Sequence, residues 1–434
     1  MEQSRDGASA RAFLEGLFHT AIAAAHPSVC LPAHLPQPTS GRVFVLAAGK
    51  AAGSMTEVAE RHYLDEVGLA PNRLPGLAVT RHGYGRPTRM IEMLEAGHPV
   101  PDAAGLAAAE RTLELAAQAV SDDLVLVLLS GGASANWIAP APGVGFADKQ
   151  AVTRALLRSG ANIGEINTVR KHLSRIKGGR LALLAQPARV LTLAISDVPG
   201  DDPAVIGSGP TVPDPTTLSD AHAIVQRFRL DLPASIARAL ADPANETPKP
   251  DHPLFRSTEY RLVSRPADAF NAAQQAVRAA GYECILLGDR LEGEARTVAA
   301  EHARVALSMQ AQGRRAVILS GGELTVTIHG QGRGGPNQEY ALALAHALAG
   351  APGIAALAGD TDGTDGGAGS AADPAGAIID SGTLSRAQGL GLDPAKFLAD
   401  NDSTGFFSRL GDLVETGPTC TNVNDFRAIL VDIA

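Results

Sequence analysis

Apolar positions in this chain follow two rhythms. Val43 to Ala48, Leu77 to Thr80, Leu124 to Leu129 and Val190 to Ile195 are short apolar runs of the kind that form buried strands. Ala-rich stretches of helical spacing separate them, and this βαβ alternation predicts a largely parallel sheet. Ahead of the first run, Phe13, Leu14, Leu17, Phe18 and Ile22 share one helical face, while Glu15 and His19 interrupt any continuous apolar segment. That pattern predicts an amphipathic helix rather than a signal peptide. After the turn Gly97-His98-Pro99-Val100-Pro101, Asp102 is a good N-cap for a helix from Ala103 to about Val120, because its carboxylate can accept from first-turn amides.

The stretch from Ala241 to Phe255 concentrates proline and polar residues with neither periodicity. It predicts a linker at 241–256 between an N-terminal domain, 1–240, and a C-terminal domain, 257–434. Beyond it the rhythm resumes: strand Tyr260 to Val263, helix around Ala267 to Ala280, strand Glu283 to Leu287, a long helix to about Gln312, strand Ala316 to Leu319. A second α/β domain is expected, and the pattern leaves open whether its last strand packs back on the first domain.

Length and composition narrow the function classes. A chain of 434 residues, 45% hydrophobic, can bury two cores. With 37 Lys plus Arg against 46 Asp plus Glu, the formal charge is -9, which disfavours nucleic acid and anionic membrane as partners. No apolar run is long enough to cross a bilayer, so a soluble protein is expected. Cys30, Cys284 and Cys420 are too scattered for a disulfide framework or a Cys-x-x-Cys metal site, and read as free thiols in a reducing cytoplasm.

Candidate chemistry gathers in loops after strands. Ser130-Gly131-Gly132 and Ser320-Gly321-Gly322 each follow an apolar run, where glycine lets a backbone turn amides toward an anion, or simply makes a tight turn. Gly49-Lys50 puts a lysine at a helix start, where amides and dipole favour a phosphate or carboxylate. It is no Walker A loop: Phe44 stands where the first glycine belongs, and Ala51 follows the lysine.

Gly330-Gln331-Gly332-Arg333-Gly334-Gly335 contains the dinucleotide string G-x-G-x-x-G. Its preceding segment, Leu324 to His329, alternates like a half-exposed strand, which fits a phosphate site using the Arg333 fork better than a nicotinamide cofactor. Acidic loops at Ser196 to Asp202 and Gly359 to Gly366 offer Asp197, Asp360 and Asp362 for magnesium or a substrate hydroxyl, although Asp is also a common turn former. Asn167, Arg170, Lys171, His172 and Lys177 make a basic strip that lines a cleft or, for most members, faces solvent. His82 and His98 have no nucleophile at a recognisable spacing, which argues against a serine hydrolase or zinc enzyme.

AAGKAAGSM from Ala47, GHPVPD from Gly97, LLSGGASA from Leu128, INTVRKHLSRIKGGRLA from Ile166, SDVPGDDPAVIGSGPTVPD from Ser196, SGGELTVT from Ser320, GRGGPNQE from Gly332, GDTDGTDG from Gly359 and TGPTCTNVNDF from Thr416 together resemble the glycerate 2-kinase family with a MOFRL C-terminal domain. The resemblance implies a two-domain α/β fold, each domain a mostly parallel sheet flanked by helices, the first Rossmann-like, with the active site in the inter-domain cleft. It implies ATP- and magnesium-dependent phosphorylation of D-glycerate at the C2 hydroxyl, by a cytoplasmic monomer or homodimer acting on small molecules. Some members carry the label hydroxypyruvate reductase, the first alternative; a noncatalytic sugar-acid binder is the second.

On that resemblance Lys50 and Arg333 act on the transferring phosphate, and Asp197 binds magnesium or orients the hydroxyl, with Asp360 and Asp362 as rivals. Substrate and nucleotide contacts fall to Gly49, Ser130, Gly131, Gly132, Ser320, Gly321, Gly322, Glu323, Asn337 and Glu339. Two departures stand out. Pro336 occupies the position before Asn-Gln-Glu where many members have Arg, and Cys420 replaces a common Gly. A positive φ at Cys420 would strain it.

Overall fold

Four apolar runs, a more polar strand at Glu92–Ala96 and one strand that follows the proline-rich stretch assemble the first sheet. They are β1 (Val43–Ala48), β2 (Gly76–Arg81), β3 (Glu92–Ala96), β4 (Leu124–Leu129), β5 (Arg189–Ile195) and β6 (Thr258–Ser264), in the order β3-β2-β1-β4-β5-β6. The computed structural model describes residues 2–367 and 369–432, without the side chains of residues 2–8. The four pairings that link β3, β2, β1, β4 and β5 are parallel. Every residue of β1 and β4 is buried, as strands covered on both faces must be. Strand order reverses between β1 and β4, so the connections leave these neighbours in opposite directions. Open α/β sheets bind ligands at the carboxyl ends of such a pair.

The chain divides into two compact units, one from Cys30 to Val263, the other combining residues up to Val29 with those from Ser264 onward. This corrects the linker expected at 241–256 and both domain limits. Pro243 and Pro253 begin short 3-10 turns, Asn245 and Thr247 are buried, and the Asn245 amide donates to the Ala239 carbonyl at 2.9 Å. Proline here marks irregular backbone packed on the first unit, and β6 then joins β5 before the boundary is reached.

In the second unit β7 (Glu283–Gly288), β9 (Ala316–Gly321) and β11 (Ile354–Asp360) share one direction, as the alternation predicts. β8 (Gly293–Glu294) and β10 (Leu324–Thr325) pair apart as a short ribbon, so the strand expected from Leu324 to His329 is only two residues long. The remaining strands are β12 (Gly376–Ile379), β13 (Leu413–Val414) and β14 (Asp425–Val431), giving the order β13-β12-β11-β14-β9-β7. β14 lies between β9 and β11 and runs against both, and β12 runs against β11. The second sheet is therefore mixed and mainly antiparallel rather than mostly parallel, and its terminal strand is central to its own unit rather than packed on the first. An apolar run carries no direction, which is why β14 misleads a reading by rhythm.

The N-terminal helix Glu2–Ala25 belongs to this second unit. Leu14, Leu17, Phe18 and Ala21 are buried, and the Phe18 ring lies 5.9 Å from Phe426 of β14, which stacks on Phe270 at 5.5 Å. Among the described residues no helix is long and apolar enough to cross a membrane. Phe18→Ala should cost about 3–5 kcal/mol, as emptying a fully buried aromatic site does. Denaturant unfolding followed by circular dichroism measures it; a loss below about 1 kcal/mol would contradict this packing.

Candidate active site

At the reversal point β1 ends in Gly49-Lys50 and β4 in Ser130-Gly131-Gly132. Gly49 holds φ +117°, and a side chain there would collide with Ser130. Gly132 holds φ +87°, and a Cβ there would lie 3.0 Å from the His98 ring and 3.3 Å from the Lys50 stem. Glycine thus lets Lys50 and His98 converge over one point of backbone, and His98, given no role by spacing, proves to be Lys50's neighbour.

The amides that follow β1 are engaged within the chain. Gly49 N–H donates to the Val79 carbonyl at 3.1 Å, Lys50 N–H to the Gly131 carbonyl at 2.8 Å, and Ala51 N–H to the Ser130 hydroxyl at 2.9 Å. The Ser130 hydroxyl thereby latches the turn between the two strand ends. Asp197, half-buried after β5, stands at the same sheet edge; nearby, burial first and then the charges of Asp202 and Asp197 raise the Tyr260 phenol.

The basic strip is not solvated. Asn167, Lys171, His172 and Lys177 are buried and Arg170 is half-buried. Lys171 faces Asp214 at 3.5 Å, and His172 donates from Nδ1 to the Thr168 carbonyl (2.8 Å) with its Nε2 3.1 Å from Glu246. Partners 43 and 74 residues away are invisible to local sequence pattern.

In the second unit the Asn-Gln-Glu motif opens the helix Pro336–Leu348, with Pro336 at its first position, where its missing N–H is harmless. The Asp365 carboxylate closes that helix end: it accepts from Asn337 N–H at 3.0 Å and Gln338 N–H at 2.8 Å, and from both side-chain amides. Asn337 also donates to Asp425 at 2.7 Å, and Asp425 pairs with Arg427 at 2.8 Å. Burial and the Asp425 charge push Asp365 up to about 7, against the pull of its four N–H donors. Glu339 is buried against Arg296 (2.6 Å) and Asn401 (3.3 Å). Asn337 and Glu339 are thus held by buried partners within this unit.

The G-x-G-x-x-G string is likewise closed on itself. Gly330 N–H donates to the Asn401 side chain (3.0 Å), Gln331 N–H to Asp400 (2.9 Å), Gly332 N–H to the Asp400 carbonyl (2.8 Å) and Arg333 N–H to Asp402 (3.1 Å). Side chains at Gly330 and Gly332 would collide with Asp400 and Asp402. These glycines serve close packing against one segment of the chain. The Arg333 side chain is 65% exposed, its Nη2 3.5 Å from Asp373.

Ser320-Gly321-Gly322 is also packed tight: Cβ atoms at the glycines would meet Phe270 and Leu291, and the Gly322 carbonyl accepts from Arg427 at 2.6 Å. Glu323 beside it is exposed. Asp360 accepts from Asp362 N–H at 2.9 Å, while buried Asp362 accepts from Thr364 N–H at 2.7 Å. Among the described residues no three His, Cys, Asp or Glu side chains are grouped to hold a metal. Magnesium commonly relies on one or two carboxylates plus substrate phosphates and water. Asp197 and Asp360 are partly exposed and Asp362 is buried; carboxylates of this kind fit that demand.

This fold and sheet edge define a two-unit α/β enzyme. The family model described as a domain of unknown function, DUF4147, matches residues 13–241, and that of the MOFRL family matches 316–425. The chain is 38% identical to the D-glycerate 2-kinase of Thermotoga maritima, over 93% of this chain and 94% of that protein. It is 48% identical to an Agrobacterium vitis protein named "Putative hydroxypyruvate reductase", over 98% and 95%. A crystal structure of glycerate kinase from Thermotoga maritima matches with a TM-score of 0.86 at 36% identity, covering 98% of this chain and 100% of that one. The chain belongs to the glycerate kinase family that carries a MOFRL domain.

Two stability predictions follow from the second unit. Asp365→Ala removes the charged acceptor of four N–H groups and should cost roughly 2–3 kcal/mol in chemical denaturation; an unchanged midpoint would contradict the capping role. Cys420 is buried at φ 58°. Relieving a left-handed non-glycine residue is worth about 1 kcal/mol, so Cys420→Gly should hold or raise the thermal midpoint relative to Cys420→Ala. A midpoint lower than that of the Ala variant would refute strain at this position.

Proposed function

We propose that this protein phosphorylates D-glycerate on its C2 hydroxyl, using ATP and magnesium, to give 2-phosphoglycerate and ADP. What supports this reading most directly is the position of Lys50 at the strand-order reversal of the first sheet, with its stem over Gly132 beside His98. Relatives named glycerate 2-kinase or glycerate kinase, similar over most of the chain, give the substrate class.

Phosphoryl transfer needs no covalent nucleophile. The hydroxyl oxygen attacks the γ-phosphorus, the bond to the β–γ bridging oxygen breaks, and catalysis consists of alignment and charge neutralisation. Lys50 supplies a cation at the edge where α/β sheets bind ligands. Arg333 supplies a planar donor fork suited to phosphate oxygens. Asp197 or Asp360 holds magnesium or orients the hydroxyl; bound magnesium would neutralise phosphate oxygens.

The reductase reading draws on the name of the Agrobacterium vitis relative and on the G-x-G-x-x-G string. The string lends it little, because the amides of residues 330–333 already donate within the chain. Purified protein with D-glycerate, ATP and magnesium should yield 2-phosphoglycerate by phosphorus NMR, with no NADH consumed when hydroxypyruvate replaces glycerate. NADH oxidation without phosphorylated product would reverse this order. Lys50→Ala and Arg333→Ala should each lower turnover about 100-fold or more, the usual effect of losing one preorganised charge, with the thermal midpoint retained. Near-normal turnover in either folded variant would remove that residue from its role.

A further inference from the structure

Two cations in the first unit share a single hydroxyl. Arg170 Nη2 donates to Ser134 Oγ at 2.7 Å, and Lys177 Nζ donates to the same oxygen at 2.8 Å and to the Ser134 carbonyl at 2.8 Å. Ser208 Oγ completes the group, 2.9 Å from Ser134 Oγ. Lys177 and Ser208 are 2% and 1% exposed, while Ser134 and Arg170 are half-buried, so the cluster is open on one side. Ser134 belongs to the segment that continues from Ser130-Gly131-Gly132, at the sheet edge that carries Lys50.

Among the described residues neither cation has a carboxylate within ion-pairing distance, whereas the neighbouring cations are accounted for. Lys171 faces Asp214, and Lys149 donates to the Arg170 and Leu173 carbonyls (2.9 and 2.8 Å), closing the C-terminal end of the helix Ile163–His172. Burying a cation without a counter-charge costs several kcal/mol, and proteins keep such an arrangement where a ligand supplies the missing charge. Burial and the Arg170 and Lys149 charges hold the Lys177 amine well below the usual lysine range.

The hydroxyl is fixed with equal care. Gly207, Ser208 and Gly209 hold φ of 61°, 63° and 61°, a left-handed run pinned by Gly178 N–H to the Ser208 carbonyl (3.0 Å) and Gly179 N–H to the Gly209 carbonyl (2.8 Å). A serine held left-handed by its surroundings is stored strain of the kind found at ligand sites.

We propose that Arg170, Lys177, Ser134 and Ser208 form an oxyanion-binding subsite that receives either the carboxylate of the hydroxy-acid substrate or a phosphoryl group of the nucleotide. The identity of the oxyanion rests on the kinase reading; its binding does not require turnover. The test is isothermal titration of the full chain with D-glycerate, inorganic phosphate and ATP, on wild type, Lys177→Met and Arg170→Met. Each variant should weaken at least one ligand about 30-fold or more, and Arg170→Met should raise the thermal midpoint by removing a cation that has no carboxylate partner. Loss confined to D-glycerate assigns the carboxylate; loss of ATP and phosphate assigns the phosphoryl group.

Unchanged affinity for all three in folded variants overturns the subsite, as does a wild type that binds none at millimolar concentration. Ser134→Ala keeps both charges and should weaken the same ligand, which covers the case in which a charge variant does not fold. The phosphorus NMR assay on the same preparations separates the two ideas. Product formation with variant affinities unchanged sinks the subsite alone, and ligand binding lost in the variants of an inactive wild type upholds it against the kinase reading.

Discussion

The reversal of strand order between β1 and β4 is the constraint on which the first unit depends. Connections leave these strands in opposite directions, so their carboxyl ends open onto a notch that no crossover covers. The chain leaving each strand must turn sharply, which Gly49 and Gly132 permit, and the freed amides then need acceptors. They find them at once, in Val79, Gly131 and Ser130. The amides of Gly49, Lys50 and Ala51 are thus spent on the neighbouring loop and strand. The cations at this edge are Lys50 and the pair gathered at Ser134.

The same economy governs the second unit. A helix N-terminus attracts an anion, and at Pro336–Leu348 that anion is the chain's own Asp365 carboxylate. The glycines at 330 and 332 meet Asp400 and Asp402 rather than a pyrophosphate. Glycines in this string are required by close packing against a neighbouring segment, whatever else the loop does. That packing also explains how one chain can carry a dinucleotide string without the open backbone that a dinucleotide requires.

Much of this was legible along the chain. The strands β1, β4 and β5, the amphipathic N-terminal helix and the Asp102 cap, which accepts from Gly105 N–H at 2.9 Å, all follow from local periodicity and turn chemistry. What local pattern could not carry was direction and distance. β14 has the composition of any buried strand, yet runs against both neighbours. Asp365 reads as one turn former among several in an acidic loop, because the amides it caps lie 28 and 27 residues upstream. Buried charges in the basic strip defeat the expectation of solvent exposure for the same reason: their partners come from distant segments.

How firmly each cation is held decides which can serve a substrate. Arg296 and Arg427 are fixed against buried carboxylates, Glu339 and Asp425, and moving either would strand a charge in the core. Lys149 and Lys171 are spent on carbonyls and on Asp214. Arg333 differs: its backbone is pinned by Asp402 and by Thr404 N–H (2.9 Å), but its guanidinium is exposed and only 3.5 Å from Asp373. Only the arginine end of this long contact is exposed, Asp373 being buried, so the guanidinium is held less closely than Arg296 or Arg427. Arg170 and Lys177 stand at the other extreme, desolvated and without a carboxylate, so that an arriving oxyanion relieves a penalty already built into the fold. A fixed set, a loosely held arginine and an uncompensated pair divide the work of stability from the work of binding within one population of basic residues.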